Sequence, residues 1–120
     1  MKQDLIISVD VGTSSLKVGL VGPSLDVLQA VDHPYPVSYP GNGCAEQDPA
    51  DWWNAIREGL ARLAVACPDL RQRAAGIVFA SQMCGVVAVD AAGQPLRPCM
   101  IWLDKRAAAI ARRVMGGFPK

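Results

Sequence analysis

The chain has 120 residues, 51% of them hydrophobic, and its formal charge is +1, which fits one globular domain. This charge gives no reason to expect a nucleic-acid partner or an acidic membrane surface. No apolar run approaches the roughly 18 residues that span a bilayer, and the first one, between Asp4 and Asp10, is too short for a signal peptide. The four cysteines show no paired CxxC spacing, so we expect reduced thiols in a cytoplasmic protein.

Two short apolar runs near the N-terminus, residues 5–9 and 18–21, predict a β-hairpin whose turn is the polar segment 10–17. Gly12 lets an anion approach the backbone, and turn N–H groups and hydroxyls can donate to phosphate. The candidate phosphate-binding residues are Gly12, Thr13, Ser14, Ser15 and Lys17. A polar hairpin without a ligand is the alternative.

Asp10 stands at the rim of this predicted turn. A carboxylate repels phosphate, but it is a good ligand for Mg²⁺, which is commonly held by a carboxylate, waters and phosphate oxygens together. We therefore predict that Asp10 lies near a magnesium ion, with water between them.

Residues 27–31 predict a third strand, which would complete an antiparallel meander. His33, the single histidine, is expected at a surface or edge, and residues 34–47, with three prolines and two glycines, are expected to form a loop. Asp48 and Pro49 suit the start of a helix, and Pro68 suits its end. Both Trp52 and Trp53 are expected in the core. An apolar stripe with helical spacing comprises Trp53, Ile56, Leu60, Leu63 and Cys67.

Beyond this helix, the apolar segment 75–80 predicts a buried strand, segment 86–90 another strand, and residues 91–94 a hairpin turn. Gln82 lies between the two predicted strands, where its amide could bind either a sugar's hydroxyls or backbone groups in a bend. Residues 105–114 predict a helix whose basic side chains form a solvated face.

Several motifs occur in order along nearly the whole chain: Asp10-Val11-Gly12-Thr13-Ser14-Ser15, Glu46-Gln47-Asp48-Pro49, Ser81-Gln82-Met83-Cys84-Gly85 and Trp102-Leu103-Asp104-Lys105-Arg106. The first resembles the phosphate motif of the actin-like ATPase superfamily. The series is similar to the N-terminal domain of the FGGY carbohydrate kinases, and to xylulokinases in particular. The resemblance implies an α/β, ribonuclease H-like fold, with a mixed sheet that starts in an antiparallel meander and is flanked by helices.

The resemblance also implies a function: ATP- and Mg²⁺-dependent phosphorylation of a small-molecule sugar. Asp10 would act near the magnesium ion and the transferring phosphate. The residues implied to border the sugar are Gln82, Met83, Cys84, Trp102, Asp104 and Arg106. For the last two, an ion pair with a structural role is an alternative of at least equal weight. Cys84 stands where xylulokinases usually carry histidine, so another ketose, a polyol or a sugar acid is open as the substrate.

In the FGGY family the catalytic aspartate base and the adenine-binding lobe lie well beyond residue 120. Residues 1–120 are therefore expected to be a partial N-terminal, sugar-binding domain, inactive alone. The missing lobe would be supplied in the same chain or by another, and a homodimer is open. A non-catalytic sugar-binding or interaction module on the same fold is the alternative.

Overall fold

A computed structural model of the chain describes residues 2–117, which form two compact units. The first unit comprises the described residues up to Pro36 together with Pro49–Gln82. The second comprises Val37–Asp48 and the described residues from Met83 onward. The elements in chain order are β1 (Leu5–Val11), β2 (Ser15–Val21), β3 (Val27–Pro34), β4 (Glu46–Gln47), α1 (Pro49–Ala66), α2 (Leu70–Arg73), β5 (Ala74–Ser81), β6 (Cys99–Met100) and α3 (Ala108–Gly116).

The first unit is built on a four-stranded mixed sheet in the order β3-β2-β1-β5. Strands β1, β2 and β3 form the predicted antiparallel meander, and β5 pairs with β1 in parallel. The third strand continues to Pro34, three residues beyond the prediction. His33 lies on this edge strand, where its Nδ1 is 3.4 Å from a carboxylate oxygen of Glu58, which agrees with the expected edge position.

Helix α1 begins at Pro49 and ends before Pro68, as predicted. Most of the predicted apolar stripe faces the core, because Leu63 is buried and Ile56, Leu60 and Cys67 pack against the core. The buried residues of the helix are Ala55, Gly59 and Leu63, whereas Trp53 is 61% exposed and the prediction of a core position for it is wrong. A Cβ at Gly59 would stand 2.7 Å from a methyl carbon of Val18 in β2, so the helix approaches the sheet along its smallest residues. Trp52 does pack against the core.

Strand β5 forms where predicted but is not buried. It is an edge strand of the described sheet, and Ile77, Val78 and Phe79 are 47%, 59% and 62% exposed. A continuous apolar run is typical of a strand covered on both faces. Here β1 is its only strand partner among residues 2–117, so the prediction of burial is wrong for the described chain.

The second unit contains a two-stranded sheet of β4 and β6 and the helix α3. The predicted strand 86–90 is wrong, because Val86 and Val89 form only isolated bridges, with Met100 and Pro95. Strand β4 lies within the predicted loop 34–47. The predicted turn at 91–94 is confirmed by the bond from the Asp90 N–H to the Gln94 carbonyl, 2.9 Å.

Helix α3 begins three residues later than predicted and continues to Gly116. Residues 118–120, which follow this helix, lie outside the described residues. None of the helices in residues 2–117 is long and apolar enough to cross a membrane.

Candidate functional site

The turn between β1 and β2 is shorter than predicted. It consists of Gly12, Thr13 and Ser14, which we call the hairpin tip. The Gly12 N–H donates to the Ser15 carbonyl at 3.1 Å and closes the turn. A Cβ at Gly12 would stand 2.9 Å from that carbonyl oxygen, so this tight closure requires glycine.

Ser15 and Lys17 belong to strand β2 and not to the turn. Ser15 is 8% exposed, and its Oγ accepts a hydrogen bond of 3.1 Å from the Lys17 ammonium. Asp10 is exposed near the end of β1, directly opposite Lys17 in the antiparallel register. A carboxylate, an ammonium group and several hydroxyls therefore border one end of the hairpin.

Tyr35 supports the hairpin tip and was not anticipated from the sequence. The residue is 8% exposed, its hydroxyl donates to the Gly12 carbonyl at 2.5 Å, and its N–H donates to the Ser14 carbonyl at 3.2 Å. Burial, together with the negative charge of Asp10, raises the pKa of Tyr35 to about 12. The phenol therefore keeps its proton, and remains a donor, at neutral pH.

Gln82 also reaches the hairpin. Its backbone N–H donates to the Val11 carbonyl at 2.9 Å, its side-chain amide N–H lies 3.5 Å from the Gly12 carbonyl, and the Thr13 hydroxyl lies 3.5 Å from its Oε1. Of the two roles that the sequence left open, the structure shows contacts with backbone groups and with the hairpin tip. The sugar contact of Gln82 stays a prediction.

Met83 and Cys84 follow Gln82 directly and are both exposed. Cys84 has a backbone φ of 61°, in the left-handed region that residues other than glycine seldom occupy. Such conformations cluster at active sites and ligand-binding sites. Trp102, in the second unit, is 55% exposed.

Asp104 and Arg106 form an ion pair in the second unit, at 2.7 Å from Nη2 to Oδ2. The Asp104 Oδ2 also accepts a hydrogen bond from the Ala45 N–H at 2.8 Å, so the carboxylate connects two segments that are 59 residues apart. Arg106 also bonds Glu46 at 2.6 Å, and Arg97 bonds the same carboxylate oxygen at 2.9 Å. The ion pair of Asp104 with Arg106 confirms one of the two roles that the sequence left open. The sequence did not indicate that Glu46 and Arg97 join it, because Glu46 lies on a distant segment.

The structural role of this ion pair can be tested through pH. The Arg106 guanidinium holds the pKa of Asp104 well below its usual range. A carboxyl whose pKa is lower in the folded chain than in the unfolded chain stabilises the fold above the unfolded pKa, near 4, and loses that contribution as the pH falls toward the folded pKa. We therefore expect Asp104→Asn to lower the free energy of unfolding at pH 7, and the difference from wild type to shrink as the pH drops below about 4.

Urea unfolding between pH 7 and pH 2.5 measures this difference. Asp32→Asn, which neutralises an exposed carboxylate on β3, is the matched control for the change of charge. A difference from wild type that is the same at every pH would contradict the ion-pair explanation.

Comparison with known proteins identifies the family. Residues 5–116 match the N-terminal domain of the FGGY family of carbohydrate kinases. The chain is 36% identical over 105 residues to a xylulose kinase from Staphylococcus xylosus. The aligned region covers 86% of this chain and 21% of that protein. The chain is also 33% identical over 109 residues to a gluconokinase from Bacillus subtilis. The aligned region covers 91% of this chain and 21% of the gluconokinase.

The structural comparison agrees. The crystal structure of xylulose kinase from Rhodospirillum rubrum superposes with a TM-score of 0.88 at 31% identity, and the match covers 95% of this chain and 23% of that one. The sequence thus spans about a fifth of the length of these relatives. The mixed sheet with its antiparallel meander is that of the actin-like ATPase fold. The chain belongs to the FGGY family of carbohydrate kinases.

Proposed function

We propose that this chain is the partial N-terminal domain of an ATP-dependent carbohydrate kinase, which transfers the γ-phosphoryl group of ATP to a hydroxyl of a sugar. The observation that carries the proposal is the hairpin tip, whose tight turn requires glycine and whose position is fixed by several hydrogen bonds. It lies inside a domain that matches the carbohydrate kinases over residues 5–116. The missing lobe would supply the catalytic aspartate base and the adenine site, in the same chain or in another.

The residues present at the hairpin fit a nucleotide phosphate with a magnesium ion. Thr13 and Ser14 carry hydroxyl donors at the tip, and Lys17 carries a positive charge beside it. Asp10 is an exposed carboxylate, the kind of oxygen ligand that Mg²⁺ takes, directly or through water. A bound Mg²⁺ would neutralise charge on the phosphate during transfer. Within this chain, Asp10 would hold the ion and the hairpin residues would orient the phosphate.

The relatives narrow the class of sugar to be tested. They include xylulose kinases and gluconokinases, so a ketose such as xylulose and a sugar acid such as gluconate are the first candidates, with polyols next. We assign sugar contacts to Gln82, Met83, Cys84, Trp102, Asp104 and Arg106. A thiol is a weak hydrogen-bond partner compared with imidazole, so Cys84 is the position at which the choice of sugar is easiest to probe.

The first experiment is to measure the intact mass of the protein expressed from its native gene, and then to assay it with Mg-ATP and a panel of ketoses, polyols and sugar acids. We expect a protein several times heavier than 120 residues that phosphorylates one class of sugar, and we expect the 120-residue chain alone to be inactive. Cys84→His should change kcat/KM between the sugars and leave the KM for ATP within about twofold, because it alters a sugar contact only.

If the complete protein binds a sugar but transfers no phosphate, the chain is instead a non-catalytic sugar-binding module. If it neither binds nor phosphorylates any sugar of the panel, the proposed substrate class is wrong. The cytoplasmic location and the homodimer stay predictions.

A further inference from the structure

We propose that Tyr35 is a positioning residue that holds the hairpin tip in the conformation that binds phosphate; this inference rests on the proposed function. Tyr35 lies after the last strand of the meander, between two prolines, and its ring belongs to the buried core of the first unit. Tyr35 is thus a buried residue whose side-chain hydroxyl and backbone N–H both donate hydrogen bonds to the hairpin tip.

The geometry of the contacts shows what Tyr35 controls. Its hydroxyl donates to the Gly12 carbonyl and its N–H donates to the Ser14 carbonyl. The two hydrogen bonds therefore fix the backbone on both sides of Thr13. In a trans peptide the C=O and the N–H point in opposite directions. Fixing the Gly12 carbonyl toward Tyr35 therefore also fixes the direction of the Thr13 N–H, which belongs to the same peptide unit.

The tip needs such a constraint because of its composition. Glycine has more backbone freedom than any other residue, and the close approach of the Ser15 carbonyl excludes a side chain at position 12. Loop donors bind an anion well only when they are held in position before binding, since otherwise their ordering opposes binding. Gln82 lies 3.5 Å from the same Gly12 carbonyl, so the stronger of the two side-chain contacts comes from Tyr35.

Thr13 is the only threonine in the sequence, which makes the test direct. In the 120-residue chain labelled with ¹⁵N-threonine, a single backbone amide signal reports on the hairpin tip. Tyr35→Phe keeps the ring in the core and removes only the hydroxyl. Tyr39→Phe, at the only other tyrosine and at a 66% exposed position, is the matched control.

Without ligand, we expect Tyr35→Phe to shift the Thr13 signal and to lower its heteronuclear NOE, which reports faster motion of that amide. In the complete protein, which contains both lobes, we expect Tyr35→Phe to bind Mg-ATP about tenfold more weakly than wild type. Tyr39→Phe should match wild type in both measurements. A general loss of packing would instead alter the melting curve of the whole chain, which is recorded for each variant.

The outcomes separate the two proposals. If the complete wild-type protein binds Mg-ATP and Tyr35→Phe matches wild type in NOE and affinity, the role of Tyr35 is refuted and the phosphate site stands. If the complete wild-type protein binds no Mg-ATP, the phosphate function of the hairpin is refuted, and with it the assignment of Tyr35 to phosphate binding. A lower NOE with tenfold weaker binding, in a variant that melts like wild type, supports both.

Discussion

Asp10→Asn is expected to lower the kcat of the complete kinase by at least about 100-fold, a loss typical of removing one charge-stabilising group from an active site. Asparagine keeps the size of the side chain and one acceptor oxygen but loses the negative charge that a divalent cation requires. Asp10 lies on a strand that is paired on both sides, opposite Lys17 in β2 and Ala80 in β5, so its backbone position should not change. The loss should therefore reflect chemistry and not folding.

The measurement is the steady-state rate with the preferred sugar at several concentrations of Mg-ATP, on the protein that contains both lobes or on the two parts combined. Asp26→Asn removes an equal charge from an exposed position in the turn between β2 and β3, beyond the end of β2 that lies away from the hairpin tip, and is expected to keep wild-type activity. If Asp10→Asn retained a rate within about threefold of the Asp26→Asn rate, the assignment of Asp10 to the magnesium and phosphate site would be wrong.

Leu16→Ala is expected to reduce the free energy of unfolding of the first unit by about 3 kcal/mol, within the range observed for fully buried leucines. Leu16 is 0% exposed and lies in β2 under helix α1, where its Cδ2 is 3.4 Å from the position that a Cβ on Gly59 would take. The truncation would leave a cavity between the helix and the strand that carries Ser15 and Lys17. This core therefore supports the candidate site directly.

Urea unfolding of the 120-residue chain, followed by circular dichroism, gives the free-energy difference. Leu28→Ala on β3 is the matched control, because Leu28 is 49% exposed and its truncation should cost about 1 kcal/mol or less. Equal losses for the two variants would mean that the contact between α1 and β2 is not the centre of the core.

The local sequence determined the strands of the first unit, the ends of α1 and the hairpin turn, because each depends on residues that are adjacent in the chain. Alternating and continuous apolar runs predicted β1, β2, β3 and β5, and prolines marked both ends of α1. Gly12 and the hydroxyl residues between two apolar runs predicted the hairpin turn. The structure adds that no side chain fits at Gly12 where the turn closes. The motif series then predicted the family, which the comparison confirmed.

Only the tertiary structure decided which surfaces meet. The helix buries Ala55 and Gly59 together with Leu63 and leaves Trp53 in solvent. At Gly59 the helix comes so close to β2 that no side chain fits, and the sequence does not show where that approach occurs. Strand β5 is exposed because burial depends on neighbours that its own sequence does not specify.

The candidate site shows the same division. Residues 10–17 could be recognised from their own composition, but the groups that support the tip come from other parts of the chain. Tyr35 lies 23 residues from Gly12 and Gln82 lies 70 residues from it, and neither residue belongs to a periodic pattern that marks such a contact. Hydrogen bonds between distant segments form only after the sheet brings those segments together. The sequence thus determined where the hairpin lies, and the tertiary structure decided what holds it in place.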